Sequence, residues 1–155
     1  MVTLMGKIPD DVKEAAAQMS ASDAVMAIGR DRFDDPDLIE HILAKTPAEN
    51  SILFDVRIVI TECLANILRH GDCTALIVAA RKYSNGLRLQ FTHIPPLPPV
   101  VRDVIERSRT EALPDLDDPT YLGTGLGYPL MTRLCRHVTL SADNACLEFS
   151  FEPAA

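Results

Sequence analysis

The sequence carries no surplus of basic side chains. Its 15 Lys and Arg face 22 Asp and Glu, giving a formal net charge of -7. Nucleic acids and anionic membranes both attract proteins through excess positive charge, so this balance argues against general binding to either. No apolar stretch approaches the roughly 18 residues a membrane-spanning helix needs. The start, MVTLMGKIPDDVKEAAAQMS, has neither the basic n-region nor the long apolar h-region of a secretory signal. The four cysteines, Cys63, Cys73, Cys135 and Cys146, form no C-x-x-C pair. Three sit among apolar residues, where a thiol behaves as a small hydrophobe. These absences imply a cytoplasmic protein with reduced thiols, and they leave small ligands and protein partners open. Internal repeats and low-complexity tracts are absent too.

What is present suits one domain. The chain has 155 residues, 47% hydrophobic and 24% charged, enough to bury a core without disulfides or metal. Residues 1 to about 22 read as a short, ragged helix, a peripheral arm. AVMAIGRDRF (24 to 33) reads as a short strand. DDPDLIEHILAKT (34 to 46) reads as a helix, with Asp35 as N-cap, Pro36 at the first helical position and Lys45 at the end. SILFDVRIVITECLANILRH (51 to 70) is the strongest helix signal. Its apolar residues recur at three- and four-residue spacing, Ser51 is placed to cap it, and Gly71 to end it.

TALIVAARKY and LRLQFTHI then read as two strands around a tight turn at Asn85-Gly86. Four prolines open the next segment, and Val101 to Glu111 reads as a helix. LPDLDDPTYLGTGLG is a polar, Pro- and Gly-rich loop, YPLMTRLCRH a helix, and VTLSADNACLEFSFEP a second hairpin. This order predicts an α+β two-layer sandwich: a mixed, mainly antiparallel sheet with helices on one face. Residues 1–23 would form the N-terminal arm and 24–155 the domain.

Two motifs carry chemistry. In TECLANILRHG, Glu62, Asn66 and His70 fall every fourth residue. On a helix of 3.6 residues per turn they form one slowly drifting line. Such a line is either a solvated face or the lining of a cavity, and Asn is a poor helix former. The second motif is YLGTGLGYPLMTRL, where Gly123, Gly125 and Gly127 precede a helix. Glycines there let backbone N–H groups approach a phosphate, and a helix N-terminus adds partial positive charge.

Together, in this order, ECLANILRH and GTGLGYPLMTRL resemble the N box and second glycine box of the GHKL ATPase superfamily. The resemblance is strongest to its anti-sigma-factor serine/threonine kinases, spans roughly residues 24 to 152, and includes the closing strand pair. It implies a histidine-kinase-like ATPase domain that binds ATP and Mg²⁺ and acts in bacterial signal transduction. By the resemblance, Glu62 is the catalytic acid–base residue and Asn66 the Mg²⁺ ligand. His70 lies near the phosphates, and Gly123, Thr124, Gly125, Leu126 and Gly127 form the phosphate-side turn. Implied partners are a sigma factor or an anti-sigma antagonist, and the resemblance also allows a homodimer.

The first glycine box of that family, D-x-G-x-G or D-x-G-x-P, is altered. The strand LRLQF runs into THIPPLPP, so His93 stands at the adenine-contacting Asp and Pro95 at the first Gly. Neutral His can accept one hydrogen bond, whereas Pro has no N–H and a fixed φ. Losing a buried charge-assisted hydrogen bond costs about 1.5–3 kcal/mol. The alternative is therefore a non-catalytic pseudo-ATPase, a protein-binding module with weak or no nucleotide affinity.

Three other patterns carry less. HILAKTP (41 to 47) resembles a histidine-kinase phosphoacceptor box but has one residue too many. His70, Cys73, Cys135 and His137 lack the paired spacings of a zinc site. The acidic run PDLDDP (114 to 119) reads as a solvated loop.

Overall fold

The computed structural model describes residues 1–19, 21–70, 72–84, 86–110 and 127–153, with the side chain of His70 outside that set. The fold is α+β, with a six-stranded mixed sheet and five α-helices among the described residues. In chain order the elements are β1 (Val2–Met5), α1 (Asp10–Ala17), β2 (Ala24–Gly29), α2 (Leu38–Lys45), α3 (Asn50–His70), β3 (Ala75–Tyr83), β4 (Gly86–Ile94), α4 (Val100–Ser108), α5 (Gly127–Leu134), β5 (His137–Leu140) and β6 (Cys146–Phe151). A 3-10 turn, Arg30–Arg32, follows β2.

The strands lie in the order β1-β2-β3-β4-β6-β5. Only β1 and β2 run parallel; the other neighbours are antiparallel. Side chains alternate across a strand, and the sheet sorts them into two cores. Met26, Ile28, Leu76, Val78, Leu87, Leu89, Phe91 and Phe149 face a large core shared with α2, α3, α4 and α5. Val25, Ala27, Ala75, Ile77 and Ala79 face a smaller one with Val12 and Ala16 of α1. Phe91 and Phe149 meet edge to face in the large core, ring centroids 5.8 Å apart, an arrangement aromatic quadrupoles favour.

The expectation of helices on one face therefore needs a correction. Four helices share one face, and α1 lies on the other. The strands show the consequence. Ala75 to Ala80 of β3 are buried at every position because both faces are covered, whereas β4 and β6 alternate.

The helix expected over residues 1 to 22 also differs. Val2–Met5 is a strand, and the helix occupies only Asp10–Ala17. Gly6 turns the chain between them at φ 82°, a region glycine enters without a Cβ penalty. The Lys7 backbone N–H donates to Asp31 Oδ1 at 2.9 Å, tying the turn to the end of β2. A four-residue strand pairing with distant sequence has no local signal.

Caps differ as well. Helix α2 starts at Leu38, and Asp35 instead accepts the Asp37 N–H at 2.9 Å and the Arg32 guanidinium at 2.6 Å. Helix α3 starts at Asn50, so Ser51 lies inside it. Gly71 and Asn85, expected as helix stop and turn residue, lie outside the described residues. Among the described residues no helix is long and apolar enough to cross a membrane.

Candidate functional site

Helix α3 supplies the first wall of the site. Val56, Val59, Ile60, Cys63, Leu64 and Ile67 are buried against the sheet. That burial fixes the helix's rotation and leaves Glu62 and Asn66 half-buried on its flank. They are turned toward the start of α5. A Cβ placed on Gly127 would stand 3.2 Å from Asn66 Nδ2 and 3.5 Å from both Asn66 Oδ1 and Glu62 Oε2. A Cβ there would crowd the Asn66 amide nitrogen by a few tenths of an ångström while making ordinary contact with the Glu62 carboxylate. Neither side chain has a hydrogen-bond partner among the described residues.

Helix α5 is held in place from two sides. Met131 is fully buried, its sulfur 3.8 Å from the Cys63 thiol of α3. The Thr132 hydroxyl donates to the Ser108 carbonyl of α4 at 3.2 Å. Pro129 sits in the first turn, where no intrahelical N–H bond is lost.

Strand β4 supplies the floor. His93 shares the parity of Leu87, Leu89 and Phe91, so it faces the helical layer. It is 5% exposed, and its Nδ1 has no hydrogen-bond partner. Burial lowers its pKa, opposed by the nearby backbone of Ala145 and Phe91, so the ring is held in its neutral form. The chain then passes through a cis Ile94–Pro95 bond into the proline run. That run is anchored just before its start and at its middle: Thr74 N donates to Ile94 O at 2.7 Å, and Leu97 N to Asn144 O at 2.8 Å. Arg102 of α4 reaches the same turn, donating to Ser141 O at 2.7 Å and Asn144 Oδ1 at 2.8 Å.

Between these walls lies a cavity of about 310 Å³, at the lower end of the size range of small-molecule sites. Asn66, His93, Pro95 and Gly127 all line it. Most of the remaining lining is apolar, including Ile67, Leu97, Val101, Val104, Tyr128 and Leu147. Sequence reading did not single out these apolar residues. Val101 and Val104 carried the one usable signal, their i, i+3 spacing on a helix. Burial pushes the phenol of Tyr128 well above its ordinary pKa, so it stays protonated and able to donate.

The structure thus brings Glu62, Asn66 and Gly127 together, and Asn66, Gly127 and His93 line one cavity, with Glu62 outside that lining. His70 closes α3, with its side chain outside the described set. Gly123, Thr124, Gly125 and Leu126 lie outside the described residues, as does the acidic run at 114 to 119. The four cysteines are free thiols, and burial raises the pKa of each. Among the described residues no three His, Cys, Asp or Glu side chains gather as a metal cluster. A divalent cation here would need ligands from its own substrate, as Mg²⁺ commonly takes from phosphates. No protein-family model matches the chain, and no curated protein does so either.

Proposed function

We propose that this protein is a GHKL-type nucleotide-binding regulator, resembling the anti-sigma-factor serine/threonine kinases. The observation that carries the reading is the approach of Gly127 to Asn66 and Glu62 at the edge of the cavity. Gly127, the last glycine of the second motif, stands beside Asn66 and Glu62 of the first, which supports a phosphate-binding role for this edge.

The residues fit the expected groups. Asn66 offers a carbonyl oxygen suited to Mg²⁺, and Gly127 leaves room for close backbone approach to phosphate. The apolar cavity accepts a flat base, and neutral His93 offers it one hydrogen-bonding nitrogen. When bound, Mg·ATP supplies the transferable phosphoryl group and the cation that neutralises its charge. Glu62 would orient the hydroxyl of a partner serine, and α5 would hold the phosphate side of the site. A sigma factor or an anti-sigma antagonist is the kind of partner this reading implies.

The second reading is a non-catalytic relative that binds protein rather than nucleotide. The observation in its favour is the floor: a buried neutral imidazole and a proline stand where the family has a carboxylate and a glycine.

Isothermal titration with a non-hydrolysable ATP analogue, with and without Mg²⁺, separates the two. Mg²⁺-dependent binding at micromolar concentration is the expected result. Silence at millimolar nucleotide rejects it in favour of the binding module.

A further inference from the structure

The fold does not fix the tautomer of His93. A neutral imidazole carries its proton on one ring nitrogen, and the hydrogen bond made by the other nitrogen ordinarily decides which. Here Nδ1 is sealed from solvent and bonded to nothing. The backbone of Phe91 and Ala145 lies near the ring, yet neither forms a hydrogen bond with Nδ1. Nε2 has no partner among the described residues either, and it is not sealed as Nδ1 is. The side chain is almost wholly buried and lines the cavity, so Nε2 is the nitrogen a ligand there can reach. That nitrogen is free to donate or to accept.

The surroundings supply no fixed donor in its place. Pro95 and Pro96 follow His93 along the cavity wall, and neither has a backbone N–H. Arg69 and Asp72 also line the cavity, but both are exposed to solvent. Asn66 stands against Gly127, at the edge already given to phosphate.

We propose that His93 sets the base specificity of the site and sets it loosely: the cavity takes 6-oxopurine nucleotides as readily as 6-aminopurine ones. This rests on the nucleotide reading above. With its proton on Nε2, the ring donates to a 6-oxo group. With its proton on Nδ1, it accepts from a 6-amino group. Moving between the two breaks no bond to the protein, because Nδ1 holds none. A carboxylate in the same place only accepts and would admit the amino group alone.

Calorimetric titration at pH 8 with the β,γ-imido analogues of ATP and ITP, each with Mg²⁺, tests the assignment. The two ligands differ only at position 6 and in the N1 proton that goes with it. The wild type is expected to bind both, with affinities within about threefold of each other. His93→Asp should keep the ATP analogue and weaken the ITP analogue about tenfold or more, since an oxo group then faces an oxygen that only accepts. His93→Asn can turn either end of its amide to the ligand and should keep the two alike. Circular dichroism shows which variants fold. If the buried aspartate does not, His93→Leu carries the test, weakening both analogues about fivefold. A wild-type preference of about tenfold or more for either analogue overturns the proposal and leaves the nucleotide reading standing. So do equal affinities that His93→Leu leaves unchanged, because the base then does not touch the ring. Binding of neither analogue overturns the nucleotide reading and this proposal together.

Discussion

Asn66 lies against the bare Cα of Gly127, so close that a methyl group there would stand 3.2 Å from its amide nitrogen. That distance is tighter than ordinary van der Waals contact. Gly127→Ala should therefore push Asn66 or the first turn of α5 by a few tenths of an ångström. Ala is the better helix former, which offsets part of the crowding. The expected outcome is a melting free energy within about 1 kcal/mol of wild type but nucleotide affinity lowered about tenfold. Denaturant melts beside calorimetric titration would check both halves. A variant that binds as tightly as wild type would show that α5 does not set the site.

Asn66→Ala separates the metal contact from the fold. The side chain is half-buried and makes no hydrogen bond among the described residues, so nothing structural is orphaned by its loss. Stability should hold or rise by up to about 0.7 kcal/mol from helix propensity. Mg²⁺-dependent nucleotide binding should disappear. Binding that keeps its full Mg²⁺ dependence would remove Asn66 as the ligand.

His93 should leave a mark on the pH dependence of stability. Its folded pKa lies below its unfolded one, so the unfolded chain takes up the proton first. Stability should then fall as pH drops below about 6.5 and level off beneath the folded pKa. Asp35, Glu40 and Asp143 are shifted down by hydrogen bonds, so they withdraw their stabilisation only in the more acidic carboxylate range. His93→Leu should flatten the upper window and leave the lower one intact. Because Nδ1 has no partner, the same change should cost little stability at pH 8. A pH profile identical to wild type would mean that another group titrates there.

Helix α1 should matter more than its length suggests. Val12 is 2% exposed and packs on the second face of the sheet. Val12→Asp buries a carboxylate among Val25, Ile77 and Ala79 and should cost about 2–4 kcal/mol. Chemical denaturation measures it directly. A shift below about 0.5 kcal/mol would mean that α1 is dispensable.

The middle of this fold was legible because its signals are local. The period of α3, the two hairpins and the glycine that opens α5 are all written within a few residues. The uninterrupted run of apolar residues in β3 was legible as a strand, but its cause was not. Six consecutive buried residues require cover on both faces, and that cover comes from α1. The pairing of β1 with β2 is likewise set by tertiary contact. At the site, the alignment of Glu62 with Asn66 followed from helical period, whereas His93 was singled out only by its alignment with the family's first glycine box, and its facing the helical layer is read from the strand pairing. The apolar lining was hidden because Leu97, Val104 and Leu147 look like ordinary core residues until the cavity between them is seen. The departures at His93 and Pro95 were visible as letters, but an imidazole Nδ1 left without a partner in the cavity floor is a fact of packing.

The strand order has a consequence for how the chain is made. Strand β6, the last element described, lies between β4 and β5. Until it emerges, β5 has no neighbour to pair with. The β4 edge, with Leu87, Leu89 and Phe91 beside it, stays open from the time β4 emerges until β6 follows. A chain that stalls before Cys146 therefore carries an unpaired strand next to an unsealed core, the kind of surface that recruits chaperones or other stalled chains.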